Sequence, residues 1–462
     1  MIKLRGLVAV LALAGCVSVA PRLGWENSGT SPFANAEARC QIETQEVEGV
    51  QWVRCMNALG WWRAPGEVHA GGYDVLDVAL DLTPDSVART IQAEQTMTLR
   101  PEQALSEFRF DANALTVASA TLDGDPITWR TEERALIFAL PHALRPGQVT
   151  TLRFTYSGAP ARGLNWEAEG LYTGYFTCDW MICALDRPGD AFAMHVDLQA
   201  PKSWSAFQGE SARAYPAHVQ GFAAGRWTQV REQVGGVTLV YASGHASEAD
   251  LRAMFADTPR MLAFFERATG VPFPHATYTQ LLVQGAAAQE GAGFAILGDD
   301  VVRPVLTDPH EDWAAAHEMA HAYWGNLISP KDWSHFWLSE GLTTFMVAAW
   351  KQERWGEADY QREIELATTR LQRARDAGWD RPLAFSGAYP DLRTRRAIQY
   401  SKGMLFFVEL RRVLGEDVFW AGIAAYTRAH TGGTVESTDL QRAMKAESGR
   451  DLGALFDEWV YE

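Results

Sequence analysis

The chain is predicted to be an α+β protein of more than one domain. An N-terminal antiparallel β half, a sandwich or saddle, precedes a mostly helical half. Three observations predict this. At 462 residues the chain exceeds what one hydrophobic core usually organises. Apolar residues make up 47% and charged ones 21%, enough to fill packed cores rather than leave the chain unfolded. The hydrophobic period also changes, from two before about residue 240 to helical after it.

Residues 1–15, MIKLRGLVAVLALAG, carry Lys3 and Arg5, then a short apolar run, then small residues, which is the layout of a secretory signal. The run ends in Leu13-Ala14-Gly15-Cys16, which resembles a bacterial lipoprotein box. Cys16 is then the lipidation site and the mature N-terminus, and its acyl chains tether the protein to a membrane. Cleavage after Ala20 is the alternative, and it would leave Pro21 at the front, which signal peptidases dislike. Val17 in place of Asp favours outer-membrane sorting, so the expected location is the bacterial cell envelope, lipid-anchored, on the outer-membrane or periplasmic side. No later stretch is apolar enough to span a bilayer as a helix.

Residues 16–68 read as a tether and N-terminal extension, rich at first in Gly, Ser, Pro and Asn. Four further cysteines, Cys40, Cys55, Cys178 and Cys183, suggest two disulfides in an exported chain. Three pairings are possible, and proximity favours Cys40–Cys55 with Cys178–Cys183.

Residues 69–243 read as the β domain. Leu76, Val78 and Leu80 alternate with Asp77, Ala79 and Asp81; Leu152, Phe154 and Tyr156 alternate with Arg153 and Thr155. Such a period of two marks strands with one wet face. Asp123-Gly124 is a hairpin signal. Residues 244–462 read as the second domain. Ser247 caps a helix expected to run to Thr269 and stop at Gly270. Two strand-like runs flank Ala286 to Gly291, and helices dominate from Asp312.

Acidic residues outnumber basic ones 57 to 41, for a formal net charge of −16. No Lys/Arg cluster offers the basic face that nucleic acid requires, so that partner is excluded. Oligomeric state is not legible.

Chemistry concentrates in AAAHEMAHAYWGN, which contains His317, Glu318 and His321. On a helix, residues four apart share a face, so both imidazoles reach one cation, while Glu318 is placed to hydrogen-bond a water there. The surrounding Ala and Trp make the helix apolar, and a buried His pair beside a Glu is costly without a cation. Eighteen residues beyond His321 comes Glu340, expected in the first turn of a helix that Ser339 starts. Two His and one carboxylate leave a fourth tetrahedral position open, as in catalytic rather than structural zinc sites. His335 is a rival third ligand, although Gly325 is misplaced for the HExxHxxGxxH pattern.

The segment HEMAHAYWGNLISPKDWSHFWLSEGLTTF resembles the aminopeptidase N and leukotriene-hydrolase family of gluzincin metallopeptidases. Tyr400-Ser401-Lys402-Gly403 is similar to that family's Tyr-x-Lys-Gly. Residues 287–291 fall where the family has Gly-x-Met-Glu-Asn, and 183–201 resemble its stretch around Phe-Asp-Glu-Pro. The resemblance implies a thermolysin-like catalytic domain holding one zinc ion through His317, His321 and Glu340. It implies Glu318 as general base and then acid, and Tyr400 as donor to the oxyanion. It implies Glu290, with Gln289 and Gly291 beside it, as the site for the α-amine of peptide substrates.

The expected function is thus removal of N-terminal residues from peptides. A zinc endopeptidase without amine anchoring, and a catalytically weak peptide-binding surface protein, are the alternatives. Two departures stand out. Gln289 and Gly291 replace the family's Met and Asn, and no upstream Gln is found to help hold the amine. The family's helical C-terminal domain has no counterpart before Glu462, so an open cleft, or one closed by another subunit or by residues 17–68, is expected.

Overall fold

A computed structural model describes residues 71–462 except 114 and 209–212, together with 25–27, 36, 39–41, 55–56 and 61–63. The expected signal segment, Cys16 and most of the tether lie outside the described residues. Within them, no helix is long and apolar enough to cross a membrane.

The β half is built on a seven-stranded sheet. Its main strands are β1 (Tyr73–Asp85), β2 (Thr90–Pro101), β3 (Leu115–Leu122), β4 (Thr150–Gly158) and β5 (Ala191–Leu198), in the order β5-β1-β2-β4-β3, with a two-residue strand at each edge. Alternation works as expected along β4, where Leu152, Phe154 and Tyr156 are buried and Arg153 is exposed. On β1 the buried set is Val78, Leu80 and Leu82; a bulge between Val75 and Asp77 shifts the register and leaves Leu76 half-buried. Asp123 and Gly124, with φ of 51° and 97°, make the tight turn that ends β3. The sheet is not wholly antiparallel, because β5 runs parallel to β1. Alternation reports a wet face and a dry one, and carries no information on strand direction.

A three-stranded sheet (105–111, 135–144 and 129–132) closes over this one, its Phe138 stacked on Phe154 at 5.6 Å. Cys178 is bonded to Cys183 beneath a small four-stranded sheet, and Cys40 to Cys55.

The second half begins earlier than the expected boundary at 243. Strands β6 (Thr228–Val234) and β7 (Val237–Ser243) join β8 (Thr277–Val283), β9 (Ala288–Gly291) and β10 (Phe294–Gly298) in a mixed sheet ordered β6-β7-β8-β10-β9. The buried core of the β half ends at Phe222, and the core of the second half starts at Val230. A strand's pattern shows that it is half-buried, not which sheet it enters.

Ser247 caps the first helix as expected, accepting from the backbone N–H of Asp250. The single helix expected to follow is instead two, α1 (Glu248–Met254) and α2 (Thr258–Thr269), with Gly270 left-handed at the end. Pro259 explains the break: it lacks an N–H, and its ring would clash with the carbonyl of Phe255 in a continuous helix.

Four helices complete the site's frame: α3 (Trp313–Ala320), α4 (Trp337–Trp355), α5 (Glu357–Asp376) and α6 (Gly403–Leu414). Helix α6 continues without a break from a short α-turn (Leu392–Arg396) and a π-helical stretch (Ala397–Lys402). Helices α4 and α6 meet backbone to backbone, since a Cβ on Gly403 would stand 2.7 Å from the Cα of Gly341. We predict that Gly403→Ala forces these helices apart and lowers stability by about 1–3 kcal/mol, as overpacking does. Chemical denaturation would read this, and an unchanged midpoint would refute it.

Candidate metal centre and substrate cleft

Helix α3 is buried from Ala314 to Ala320, so its polar side chains face protein. His317 and His321 lie one turn apart with their Nε2 atoms 3.1 Å from each other. Helix α4 starts at Trp337, before the expected start at Ser339, and still presents Glu340 in its first turn. Glu340 Oε2 stands 3.3 Å from His317 Nε2 and 3.4 Å from His321 Nε2.

These separations suit one zinc ion, because ligands roughly 2.0–2.1 Å from zinc at tetrahedral angles stand about 3.3 Å apart. Glu340 Oε2 is moreover buried and receives no hydrogen bond of good geometry. Such an orphaned carboxylate oxygen is costly unless a cation takes it. The residues therefore fit one zinc ion.

Neighbours orient the donors. His321 Nδ1 lies 2.9 Å from the carbonyl of Trp324 and 3.2 Å from Ser339 Oγ. A proton held at Nδ1 leaves the Nε2 lone pair free for metal. Ser339 thus steadies His321 rather than starting α4. Gly325, with φ of 120°, makes this turn possible, since a Cβ there would sit 2.6 Å from Ser339 Oγ and 3.0 Å from His321 Nδ1. Tyr400, in the π-helical stretch, donates its hydroxyl to Glu340 Oε1 at 2.6 Å. His335 is turned away, with Nδ1 3.0 Å from Ser437 Oγ.

Around the trio lies a second set of carboxylates. Glu318, Glu290 and His321 offer donor atoms all within 4.8 Å of one another, and all three side chains are buried. Glu318 Oε2 has no partner. Glu290 sits on edge strand β9, and its Oε2 accepts from the Tyr175 hydroxyl at 3.1 Å. Asn326 Nδ2 donates to the carbonyl of Gly291 at 2.9 Å, tying β9 to the turn after His321. Gln289 lies against Gly174 of the β half.

Tyr175, the residue beside Glu290 where no upstream Gln was found, comes from the β half. Nothing in its local sequence marks it. Sequence reading also passed over Asn326, His218 and Tyr278, whose buried hydroxyl lacks a partner and lies in the field of Glu318 and Glu290.

The electrostatics follow from burying three carboxylates together. Burial, reinforced by Glu290 and Glu340, pushes Glu318 well above the usual carboxylate range, and burial raises Glu290 too. Burial would also raise Glu340, but the His321 charge and both nearby imidazoles hold it well below that range. Burial disfavours a charged His321, yet Glu290, Glu340 and Glu318 together outweigh it and raise the imidazole to about 10. The pocket thus demands positive charge.

Asp312, just before α3, accepts from the indole N–H of Trp350 at 2.8 Å and of Trp355 at 3.4 Å. Burial pushes its carboxyl up to about 6 from 3.8. The folded protein therefore keeps this proton longer than the unfolded chain does. The contribution is full below about pH 3.8 and falls as pH rises toward about 6, after which it is flat. Asp312→Asn should remove that decline between pH 4 and 6 in a series of denaturation midpoints, and an identical slope in both proteins would refute the assignment.

Residues 254–459 match the Peptidase family M1 domain. Aminopeptidase N of Streptomyces lividans is 24% identical over 430 residues, covering 84% of this chain and 50% of that protein. Aminopeptidase 2 of Candida albicans is 27% identical over 216 residues, covering 43% of this chain and 23% of that protein. The chain thus spans half or less of the length of these relatives. Among solved structures, a two-domain M1 zinc metallopeptidase bound to L-tryptophan superposes with a TM-score of 0.69 at 23% identity, over 86% of this chain and 96% of that one. The M1 zinc metallopeptidase of Deinococcus radiodurans gives 0.68 at 24% identity, over 85% and 95%. Residues 254–459 thus resemble the M1 peptidase domain, and the chain shares the fold of two-domain M1 zinc metallopeptidases.

Proposed function

We propose that this protein is a zinc aminopeptidase, removing N-terminal residues from peptides in a bacterial cell envelope to which Cys16 anchors it. One observation carries the catalytic reading: a trio of zinc donors, a base and a tyrosine hydroxyl converge beside a buried carboxylate that can take an ammonium. Similar structures were solved with Tyr-Ser-Ala substrate and with L-arginine, which fits this reading. The envelope location rests on the lipoprotein-like box alone.

Held by His317, His321 and Glu340, zinc would polarise the scissile carbonyl and acidify a water molecule. Glu318, with a free Oε2 in the cleft, accepts the proton of the attacking water and passes it to the leaving amine. Tyr400 sits at hydrogen-bond distance from Glu340 Oε1, and its hydroxyl is placed to donate to the oxyanion as it forms. Glu290, steadied by Tyr175, grips the free α-amine and so sets the register at one residue from the terminus. Edge strand β9 leaves backbone groups beside Glu290 for an extended peptide to pair with.

The test is a panel of aminoacyl amides, free and N-acetylated, with and without chelator. The reading expects metal-dependent cleavage of free substrates only. Glu290→Gln should cut kcat/KM on them roughly 100-fold, about 3 kcal/mol, as expected for losing one side of a buried charge pair. Equal cleavage of blocked and free substrates, or indifference to Glu290→Gln, would favour an endopeptidase. No cleavage by zinc-loaded protein would favour a peptide-binding role.

Anchoring has its own test. In bacterial cells, labelled palmitate should enter the wild-type chain and not Cys16→Ser. Label in neither, or equally in both, would remove the envelope tether.

A further inference from the structure

Glu290 is gripped from the β half. The Tyr175 hydroxyl donates to Glu290 Oε2 at 3.1 Å and lies 3.3 Å from the carbonyl of Ala288 on the same edge strand. Tyr175 and Phe176 are 41% and 43% exposed, so packing alone does not fix them. Just before them the chain leaves a hairpin, Leu164–Glu167 with Gly170–Thr173, and Gly174 still donates its N–H to the carbonyl of Gly163 at 2.7 Å. On its other side the tyrosine is fixed by the turn that follows it.

That turn is a staple. Thr177–Asp179 form a 3₁₀ turn, and Cys178 within it is bonded to Cys183. Every residue from Thr177 to Cys183 is buried. The far end is locked into the β half. Cys183 and Asp111 exchange backbone hydrogen bonds at 2.7 and 3.3 Å, the Gln95 amide holds both backbone groups of Ile182, and Tyr156 donates to the carbonyl of Trp180. The disulfide carries that anchorage across to the near end. There the Asp179 N–H donates to the carbonyl of Phe176 at 2.9 Å. The Asp179 carboxylate holds Asn113 and, at 3.0 Å, Arg162, whose guanidinium lies over the Phe176 ring, 4.0 Å from its centroid.

We infer that this stapled turn positions the substrate's amine: the Cys178–Cys183 bond, with Arg162 on Asp179, sets the Tyr175 hydroxyl against Glu290. A covalent bond in one half of the protein thereby tunes substrate capture in the other. The inference rests on the aminopeptidase reading for the role of Glu290. A disulfide that closes so short a ring leaves the turn few alternative shapes, and a tyrosine with two side-chain torsions then has little freedom in where it puts its hydroxyl. Holding Glu290 ready in advance spares the substrate the entropy of ordering it. The effect falls on KM, because the hydrolytic groups stand on α3, α4 and the π-helical stretch, away from the staple.

The test is kinetics of leucine p-nitroanilide hydrolysis by zinc-loaded protein, beside calorimetric binding of leucinamide to the inactive Glu318→Gln form. Cys178→Ser with Cys183→Ser should raise KM roughly 3- to 10-fold, the scale of one hydrogen bond, and leave kcat within about twofold. Tyr175→Phe should do the same. Adding the two serines to Tyr175→Phe should change KM by less than about twofold more, since both act through one hydroxyl. Arg162→Gln, a partly exposed change away from the cysteines, should raise KM in the same direction and serves as the second route should the serine variant not fold. Cys40→Ser with Cys55→Ser should leave KM where it is. An active parent whose KM is matched by the staple variants would overturn the inference and leave the aminopeptidase reading intact. Full additivity with Tyr175→Phe, or a loss confined to kcat, would overturn it too, reducing the staple to general stability. A parent that hydrolyses nothing, yet binds leucinamide more tightly than the staple variants do, would leave the staple standing and sink the aminopeptidase reading instead.

Discussion

Three carboxylates buried within a few ångströms of each other are the constraint on which the rest of the structure turns. Glu290, Glu318 and Glu340 share one pocket with two imidazoles, and two of the carboxylates keep an oxygen with no donor. Burying a charge without a partner costs far more than any one hydrogen bond in the structure returns. A zinc ion at the trio would supply positive charge, and burial raises the Glu318 and Glu290 carboxyls so that they hold protons more readily than free ones do. The same surplus of negative charge raises the His321 imidazole against the opposing effect of burial.

Holding the pocket open to ligand while keeping its walls rigid falls to small contacts at a distance. Gly341 and Gly403 let two helices touch at the backbone, which sets Tyr400 against Glu340. Gly325 allows the chain to fold back so that Ser339 and Trp324 fix the ring of His321. Asn326 then ties strand β9 to that same turn, linking the position of Glu290 to that of the zinc donors. Each contact joins two elements far apart in sequence. Displacement of any one would spread the donors, and metal sites and transition-state contacts tolerate little of that.

Much of this was legible in advance. The helix bearing His317 and His321 follows from a spacing of four on an apolar face, and Glu340 from its place at the start of the next helix. Alternation identified β1 and β4 and their buried faces. What escaped was consistently a matter of partnership. The parallel pairing of β5 with β1, the transfer of β6 and β7 to the second sheet, and the break at Phe255 to Asp257 depend on which surfaces meet. Tyr175 escaped for the same reason, as a tyrosine of the β half that reaches a glutamate 115 positions away.

By itself, then, the amino-acid sequence determined which groups could hold a metal, because ligand type and helical spacing are local properties of a short segment. Tertiary structure alone decided what surrounds them: the hydroxyl on Glu290, the serine behind His321, the tyrosine against Glu340. Those are contacts between segments remote in the chain, and no local period or composition encodes them. They arise only when burial brings the two domains and their cores to a common cleft.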